Sequence, residues 1–232
     1  MTLATVALLL SGSAHGLGLI DFAVYGVLTT DYVFRGISQT REHPALQAGL
    51  DYEHATGVFA GVWGSNVEFD ARQDPNRSRD FELDIYGGFR RSLGTDWLAD
   101  FTVARYTYPD SSPAQKYDYT DLLLGLHYRE RVAVNVAYTD DAFGFHRQGI
   151  AYELSSQYPI VAGFLASGGV GYYDLDLSRG SDYTHWTLGL SRSVGRFTLD
   201  LSYHDTDSRA ADSFGEQVTG GRVVFSVAIG TE

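Results

Sequence analysis

Carboxylates recur at alternate positions in several segments of the chain, on the face opposite apolar residues. Glu82 and Asp84, for example, alternate with Phe81, Leu83 and Ile85. Residues two apart point to the same face of a β-strand, so such a segment has one acidic face and one apolar face. Acidic side chains around a water-filled pore favour cations over anions. The pattern therefore predicts ion selection in an aqueous channel rather than covalent chemistry.

The candidate pore-lining residues are the charged members of these polar faces. The predicted set is Asp51, Glu82, Asp84, Asp100, Asp121, Glu153, Asp200, Arg90, Arg129, Arg131 and Arg222. Four of the carboxylates come from three neighbouring strands and are expected to form one acidic wall: Glu82, Asp84, Asp100 and Asp121. An alternative stays open, in which the carboxylates pair with arginines and hydroxyls and fill the interior.

Patterns for catalysis or metal binding are weak. The sequence has no Gly-x-Ser-x-Gly nucleophile elbow and no histidine pair with the spacing of a zinc protease. It has no cysteine, which excludes thiolate and disulfide chemistry. Asp70, Asp74 and Asp80 lack the spaced glycine of an EF-hand calcium loop. We therefore predict no enzyme activity, no metal site and no cofactor.

Composition and the N-terminal residues narrow the class of protein. The formal net charge of -12 argues against a nucleic-acid partner, which would need a basic face. No stretch reaches the roughly 20 apolar residues of a transmembrane helix, so a membrane role must come from strands. The apolar run 1–10, followed by small residues, predicts a signal peptide over residues 1–16 and a barrel over 17–232.

The positions of the strands follow from a repeated pattern of polarity and of connection length. Segments of roughly ten residues alternate in polarity, and short and long connections separate them in turn. A soluble sandwich shows similar turn spacing but has no reason to sort its connections by length. The sequence therefore predicts an all-β fold, a single up-and-down antiparallel transmembrane β-barrel of about 12 strands, with both termini in the periplasm.

Some segments are less clear or carry specific expectations. The strand 58–67 has two apolar faces, and 160–173 is rich in glycine, so neither has an obvious outward side. Residues 156–159 are predicted as a turn. Tyr108 is expected in a girdle of aromatic residues at the membrane interface. The connections predicted as long outer loops are 31–43, 68–80, 109–116, 140–146, 175–182 and 206–220.

A family resemblance rests on residues 29–67. Residues 29–40 read Thr-Thr-Asp-Tyr-Val-Phe-Arg-Gly-Ile-Ser-Gln-Thr, and the blocks 44–52 and 57–67 follow. They are similar to the opening of the TorF-family porins, a group of uncharacterised bacterial proteins also called gcw_chp, and 82–88 fits as well. The resemblance implies an outer-membrane barrel with a porin role. It carries over no substrate and no catalytic residue.

We therefore expect a narrow porin in the bacterial outer membrane that passes small hydrophilic solutes and prefers cations. Its partners would be outer-membrane lipid and small solutes or ions, and the sequence leaves the oligomeric state undetermined. The alternative is a closed barrel that acts through its outer loops, in adhesion or in docking of a partner.

Overall fold

The computed structural model describes residues 20–68, 80–109, 117–144, 146–175 and 182–231. Twelve strands form one closed antiparallel barrel, in which each strand pairs with its neighbours along the chain and the last pairs with the first. The predicted all-β fold, a closed antiparallel barrel of about 12 strands, is confirmed; the periplasmic location of the termini stays a prediction, and the predicted signal peptide lies outside the described residues. The barrel strands are β1 (Ile20–Thr29), β4 (Ala45–His54), β5 (Val58–Val67), β6 (Asp80–Leu93), β7 (Trp97–Thr107), β8 (Tyr119–Tyr128), β9 (Val132–Thr139), β10 (Gly149–Pro159), β11 (Phe164–Asp174), β12 (Asp182–Val194), β13 (Phe197–Thr206) and β14 (Arg222–Gly230).

Smaller elements lie between the barrel strands. The two-residue strands β2 (Val33–Phe34) and β3 (Ile37–Ser38) pair with each other and not with the barrel. Helix α1 (Arg209–Phe214) precedes β14, and 3₁₀ turns occupy Ala142–Gly144 and Val161–Gly163. Within the described ranges no helix has the length and apolarity needed to cross a membrane.

The outer wall of the barrel is apolar. Leu46 is 68% exposed, Leu124 59% and Val223 66%. A continuous apolar wall of this kind is costly in water and is the surface that a barrel presents to acyl chains. Outward charges such as Arg105 lie near strand ends, where the cost of a charge in a bilayer is small.

The connections are sorted by length between the two ends of the barrel, as the sequence predicts. Short turns at one end, the turn end, span 55–57, 94–96, 129–131, 160–163 and 195–196. Longer segments leave the opposite end, the loop end. The predicted turn at 156–159 is wrong, because β10 continues to Pro159. Its residue Gln157 bonds through backbone and side chain to the carbonyls of Arg131 and Glu130, which extends the strand beside the neighbouring turn.

The two ambiguous strands have definite faces in the barrel. In β5, Phe59, Trp63 and Val67 point inward and are buried, whereas Val58 and Val62 are exposed. In β11, Tyr173 is buried and its neighbour Tyr172 is exposed. Both faces of β5 are apolar because its inner face packs against a segment inside the lumen rather than against water.

That inner segment contradicts one prediction. Residues 31–43 do not form a polar outer loop: residues 31–40 fold into the lumen, and all ten are buried. Tyr108 is also misassigned as an interface aromatic, since it is 3% exposed and packs inside with Tyr32 and Trp63. The long connections at 68–80, 109–116 and 175–182 lie largely outside the described residues.

Candidate functional site

A β-hairpin formed by β2 and β3 crosses the lumen. Its tip residues Arg35 and Gly36 both have positive φ, 47° and 81°, which is the backbone of a type I′ turn. The tip reaches the wall at β12 and β13, since a Cβ on Gly36 would lie 2.6 Å from the Cβ of His185 and 2.7 Å from the Cγ2 of Thr206. Only glycine meets both the φ and the close approach at this position. We call residues 31–40 the lumenal hairpin.

Asp31 anchors the base of the lumenal hairpin. Its Oδ1 accepts hydrogen bonds from Ser38 Oγ at 2.6 Å and Thr40 Oγ1 at 2.8 Å. Its Oδ2 lies 3.3 Å from a terminal guanidinium nitrogen of Arg222 on β14. The hairpin is therefore tied both to itself and to the barrel wall by a buried carboxylate.

Aromatic side chains hold the hairpin against the wall. The ring of Tyr32 lies 5.4 Å from Trp63 in an edge-on arrangement, and Phe34 lies 6.1 Å from Tyr106. Such pairs add about 0.5–1.5 kcal/mol each beyond the area they bury. Burial, and next the carboxylate of Glu82, raises the pKa of Tyr32 well above its usual range, so its phenol stays neutral.

Arg35 at the tip forms a buried ion pair with the wall. A terminal nitrogen donates to Asp121 Oδ2 at 3.0 Å, and both side chains are almost fully buried. The guanidinium lies 4.7 Å from the ring centres of both Phe34 and Tyr173. Burial lowers the pKa of Arg35, but the neighbouring acidic groups together, Asp121 first among them, outweigh burial and raise the pKa well above its ordinary value. Arg35 therefore stays charged.

The predicted acidic wall is divided between two places. Glu82, Asp84 and Asp121 lie behind the hairpin, each at most 2% exposed, and Glu82 accepts a hydrogen bond from Tyr108 at 2.9 Å. Asp100 lies closer to the turn end, where its Oδ2 is 2.7 Å from His127 Nε2. Asp100 therefore belongs to a different environment from the other three.

Most of the remaining predicted pore-lining residues each contact one partner, in separate places. Tyr86 donates to Asp51, Arg90 contacts Glu53 at 3.0 Å, and Glu153 lies 3.8 Å from His185. Arg222 holds Asp31, as described above. Arg129 pairs with Asp96 on a neighbouring turn and is exposed, and Arg131 stacks on Tyr158. Asp200 lines a cavity.

This cavity, of about 160 Å³, occupies the lumen between the hairpin tip and the turn end. Arg35 and Gly36 form its top, and Glu130 and Arg131 line it at the turn end. Its polar lining includes Asn135, Glu153, Thr187, His185, Ser202 and His204. It is the part of the described lumen that could hold a solute.

Two further segments close over the hairpin at the loop end. Phe214 of α1 lies 5.7 Å from both Tyr183 and Phe143. The carbonyl of Val218 accepts a hydrogen bond of 2.9 Å from the backbone N–H of Ser38. The connection before β14 therefore folds onto the hairpin instead of projecting away from the barrel.

Sequence reasoning missed the hairpin residues Tyr32, Phe34 and Arg35 as parts of the site. A signal was present, because the stretch 32–37 contains four large apolar residues that a solvated loop has no need of. No group of three or more potential metal ligands occurs among the residues that the structure describes.

Comparisons with known proteins agree with this architecture. The KdgM porin superposes with a TM-score of 0.55 at 6% identity, over 90% of this chain and 98% of that one. The NanC porin superposes with a TM-score of 0.52 at 9% identity, over 91% of this chain and 100% of that one. A KdgM porin in complex with disordered oligogalacturonate superposes with a TM-score of 0.51 at 6% identity, over 91% of this chain and 98% of that one. At these identities the likeness shows the fold, which is that of outer-membrane porins.

Sequence comparison supplies the family. No curated protein sequence matches the chain. A family model described as "Bacterial protein of unknown function (Gcw_chp)" matches residues 16–228. The resemblance of residues 29–67 to the gcw_chp group is confirmed, and the TorF name stays a prediction. The chain is a member of the Gcw_chp family of bacterial proteins, with the fold of an outer-membrane porin.

Proposed function

We propose that this protein is a narrow outer-membrane channel for small hydrophilic solutes, that it prefers cations, and that the lumenal hairpin restricts its loop end. The observation that carries the proposal is a cavity with polar and charged side chains in its lining, inside a closed barrel whose outer wall is apolar. Lipid would cover the outer wall, and solutes would enter the cavity from the turn end. The described chain begins and ends at the turn end, so both termini would face the periplasm if the turn end does.

The cation preference rests on an excess of carboxylates in the lumen. Buried or half-buried arginines pair with Asp31, Glu53 and Asp121. In the described ranges, the cavity-lining carboxylates of Glu153 and Asp200 have no arginine within salt-bridge distance. Their fields favour cations in the narrow space that they line. The oligogalacturonate named with the KdgM porin is anionic, and this lumen would disfavour such a solute.

Planar-bilayer recording of the full chain, refolded in detergent, tests the proposal. We expect small discrete current steps and a reversal potential of cation-selective sign in a KCl gradient. The variant Asp200→Asn should shift the reversal potential towards zero, whereas Asp96→Asn, at an exposed turn, should leave it unchanged. Anion-selective current would overturn the cation preference.

The buried hairpin favours a second candidate function, the closed barrel that acts through its outer face. Residues 31–40 and Phe214 fill the described loop end. If neither the wild type nor a variant with a loosened hairpin, such as Arg35→Ala, conducts at any voltage, the channel proposal is wrong and the closed barrel stands.

A further inference from the structure

The cavity below the hairpin tip is lined by hydroxyl and amide side chains together with histidines and charged side chains of both signs. Successive inward rows across β10 to β12 place Ser155 beside Gly169 and Thr187, and Gln157 beside Ser167 and Gly189. Small residues at these positions leave the space that larger side chains would fill. The result is a hollow with many hydrogen-bond donors and acceptors, in which carboxylates and arginines are both present.

Two buried polar atoms at the top of the cavity lack partners. Among the described residues, Arg35 Nε and His185 Nε2 make no hydrogen bond, although the Arg35 side chain is only 2% exposed. Glu153 Oε1 lies 3.8 Å from His185 Nε2, too far for a hydrogen bond. Because leaving buried polar groups unsatisfied costs free energy, a bound group that bridges them is favoured.

The chemistry of these atoms indicates what would bridge them. Arg35 Nε–H can only donate, the Glu153 carboxylate can only accept, and the neutral imidazole does one of each. A hydroxyl group both donates and accepts, so it suits this mixed set. An anion would meet Glu153 and Asp200, and a cation would meet Arg35, which stays charged.

We propose that the cavity binds a neutral polyhydroxylated solute, a polyol or a monosaccharide, with one hydroxyl between Arg35, Glu153 and His185. Ser155, Thr187 and Ser202 contact the other hydroxyls. This names the solute class of the channel proposed above and rests on that function for its role in transport, whereas binding itself is measured separately.

Saturation-transfer NMR on the detergent-solubilised full chain tests the site. The probes are sorbitol and D-glucose, with gluconate as the anionic and glucosammonium as the cationic comparison. We expect transfer to the two neutral probes, weaker transfer to glucosammonium, whose charge would meet Arg35, and no transfer to gluconate. Stronger transfer to gluconate or glucosammonium than to glucose would overturn the solute class.

Variants locate the binding. Ser155→Phe fills the cavity and should abolish transfer. His185→Ala should weaken glucose binding about tenfold, which is the effect of losing one hydrogen bond close to charged groups. His54→Ala, at a half-buried histidine at the turn end and outside the cavity, is the matched control and should bind as the wild type does. Transfer that persists in Ser155→Phe would show that the sugar binds elsewhere and would refute the proposal.

The two proposals fail in different ways. Ion current in the bilayer without transfer to any neutral probe would refute the solute site and leave the channel standing. Transfer that Ser155→Phe abolishes, in a protein that never conducts, would support the site and refute the channel.

Discussion

Two arcs of the same barrel differ in the size of their inward side chains. On β4 to β8, large inward side chains such as Trp63, Tyr106 and Tyr119 pack against the lumenal hairpin. On β9 to β13, inward positions near the turn end carry small residues such as Ser155 and Gly169, and the cavity lies there. We call these the filled arc and the open arc.

The difference shows that strand geometry alone does not make a pore. Both arcs obey the same alternation of inward and outward residues. The volume of the inward side chains decides whether the enclosed space holds protein or solvent, because a barrel of this size lies between the small barrels filled by side chains and the open porins.

The strongest test of the filled arc removes the wall partner of the hairpin. Asp121→Ala leaves Arg35 charged and unpaired in the interior, which should lower the free energy of unfolding by about 3–5 kcal/mol. Urea unfolding in detergent micelles or lipid measures it. Glu53→Gln, in a pair that is about a third or more exposed, is the control and should cost less than about 1 kcal/mol. Equal losses in the two variants would contradict a special role for the buried pair.

A matched pair of insertions compares the arcs directly. Ala104, fully buried on the filled arc, should not tolerate a large ring, so Ala104→Phe should cost about 1–3 kcal/mol of unfolding free energy. Ser155→Phe places the same ring in the cavity and should cost less than about 1 kcal/mol, with a lower channel conductance. If the two variants are equally destabilised in thermal unfolding, the division into arcs is wrong.

The hairpin tip offers a smaller and more local test. Gly36→Ala puts a Cβ at positive φ and against His185 and Thr206, so the tip must shift. We expect a loss of about 1–2 kcal/mol, from the left-handed backbone alone, and longer open times in single-channel records. The control is Gly94→Ala, which has a similar φ of 78° but open space around it. An equal change in open times in both variants would argue against the tip as the restricting element.

The smallest effect concerns charge in the open arc. Glu153→Gln keeps the shape of the cavity and removes one negative charge, so the reversal potential in a KCl gradient should move towards zero without a change in stability. The exposed-turn variant Asp96→Asn serves as the reference. A larger cation preference in Glu153→Gln would contradict the proposal that the lumenal carboxylates favour cations.

Particular residues show how far the sequence could be interpreted. The alternation of Leu46 and Leu50 with Gln47 and Asp51 correctly predicted which side of β4 meets the outside, because one strand face must be apolar if it contacts lipid. The same rule could not orient β5. Its inner residue Trp63 packs on Tyr32, which lies far outside the strand, and local pattern contains no information on that partner.

The candidate site was less predictable than the fold. The sequence indicated Glu82, Asp84 and Asp121 as inward carboxylates, and the structure places them inward. The pairing of Arg35 with Asp121 cannot be predicted from the sequence, because 86 residues separate them along the chain and the local pattern of residues 31–43 indicates a loop. The cavity likewise depends on small residues from several strands that meet only after the barrel closes.

The amino-acid sequence by itself determined the strand count, the apolar outer wall and the sorting of short and long connections, since each depends on residues near one another in the chain. Only the tertiary structure decided that residues 31–40 turn inward and that one arc stays open. The hairpin turns inward because its apolar rings and its arginine find partners only inside the closed barrel. These partners are Trp63 and Tyr106 for the rings and Asp121 for Arg35.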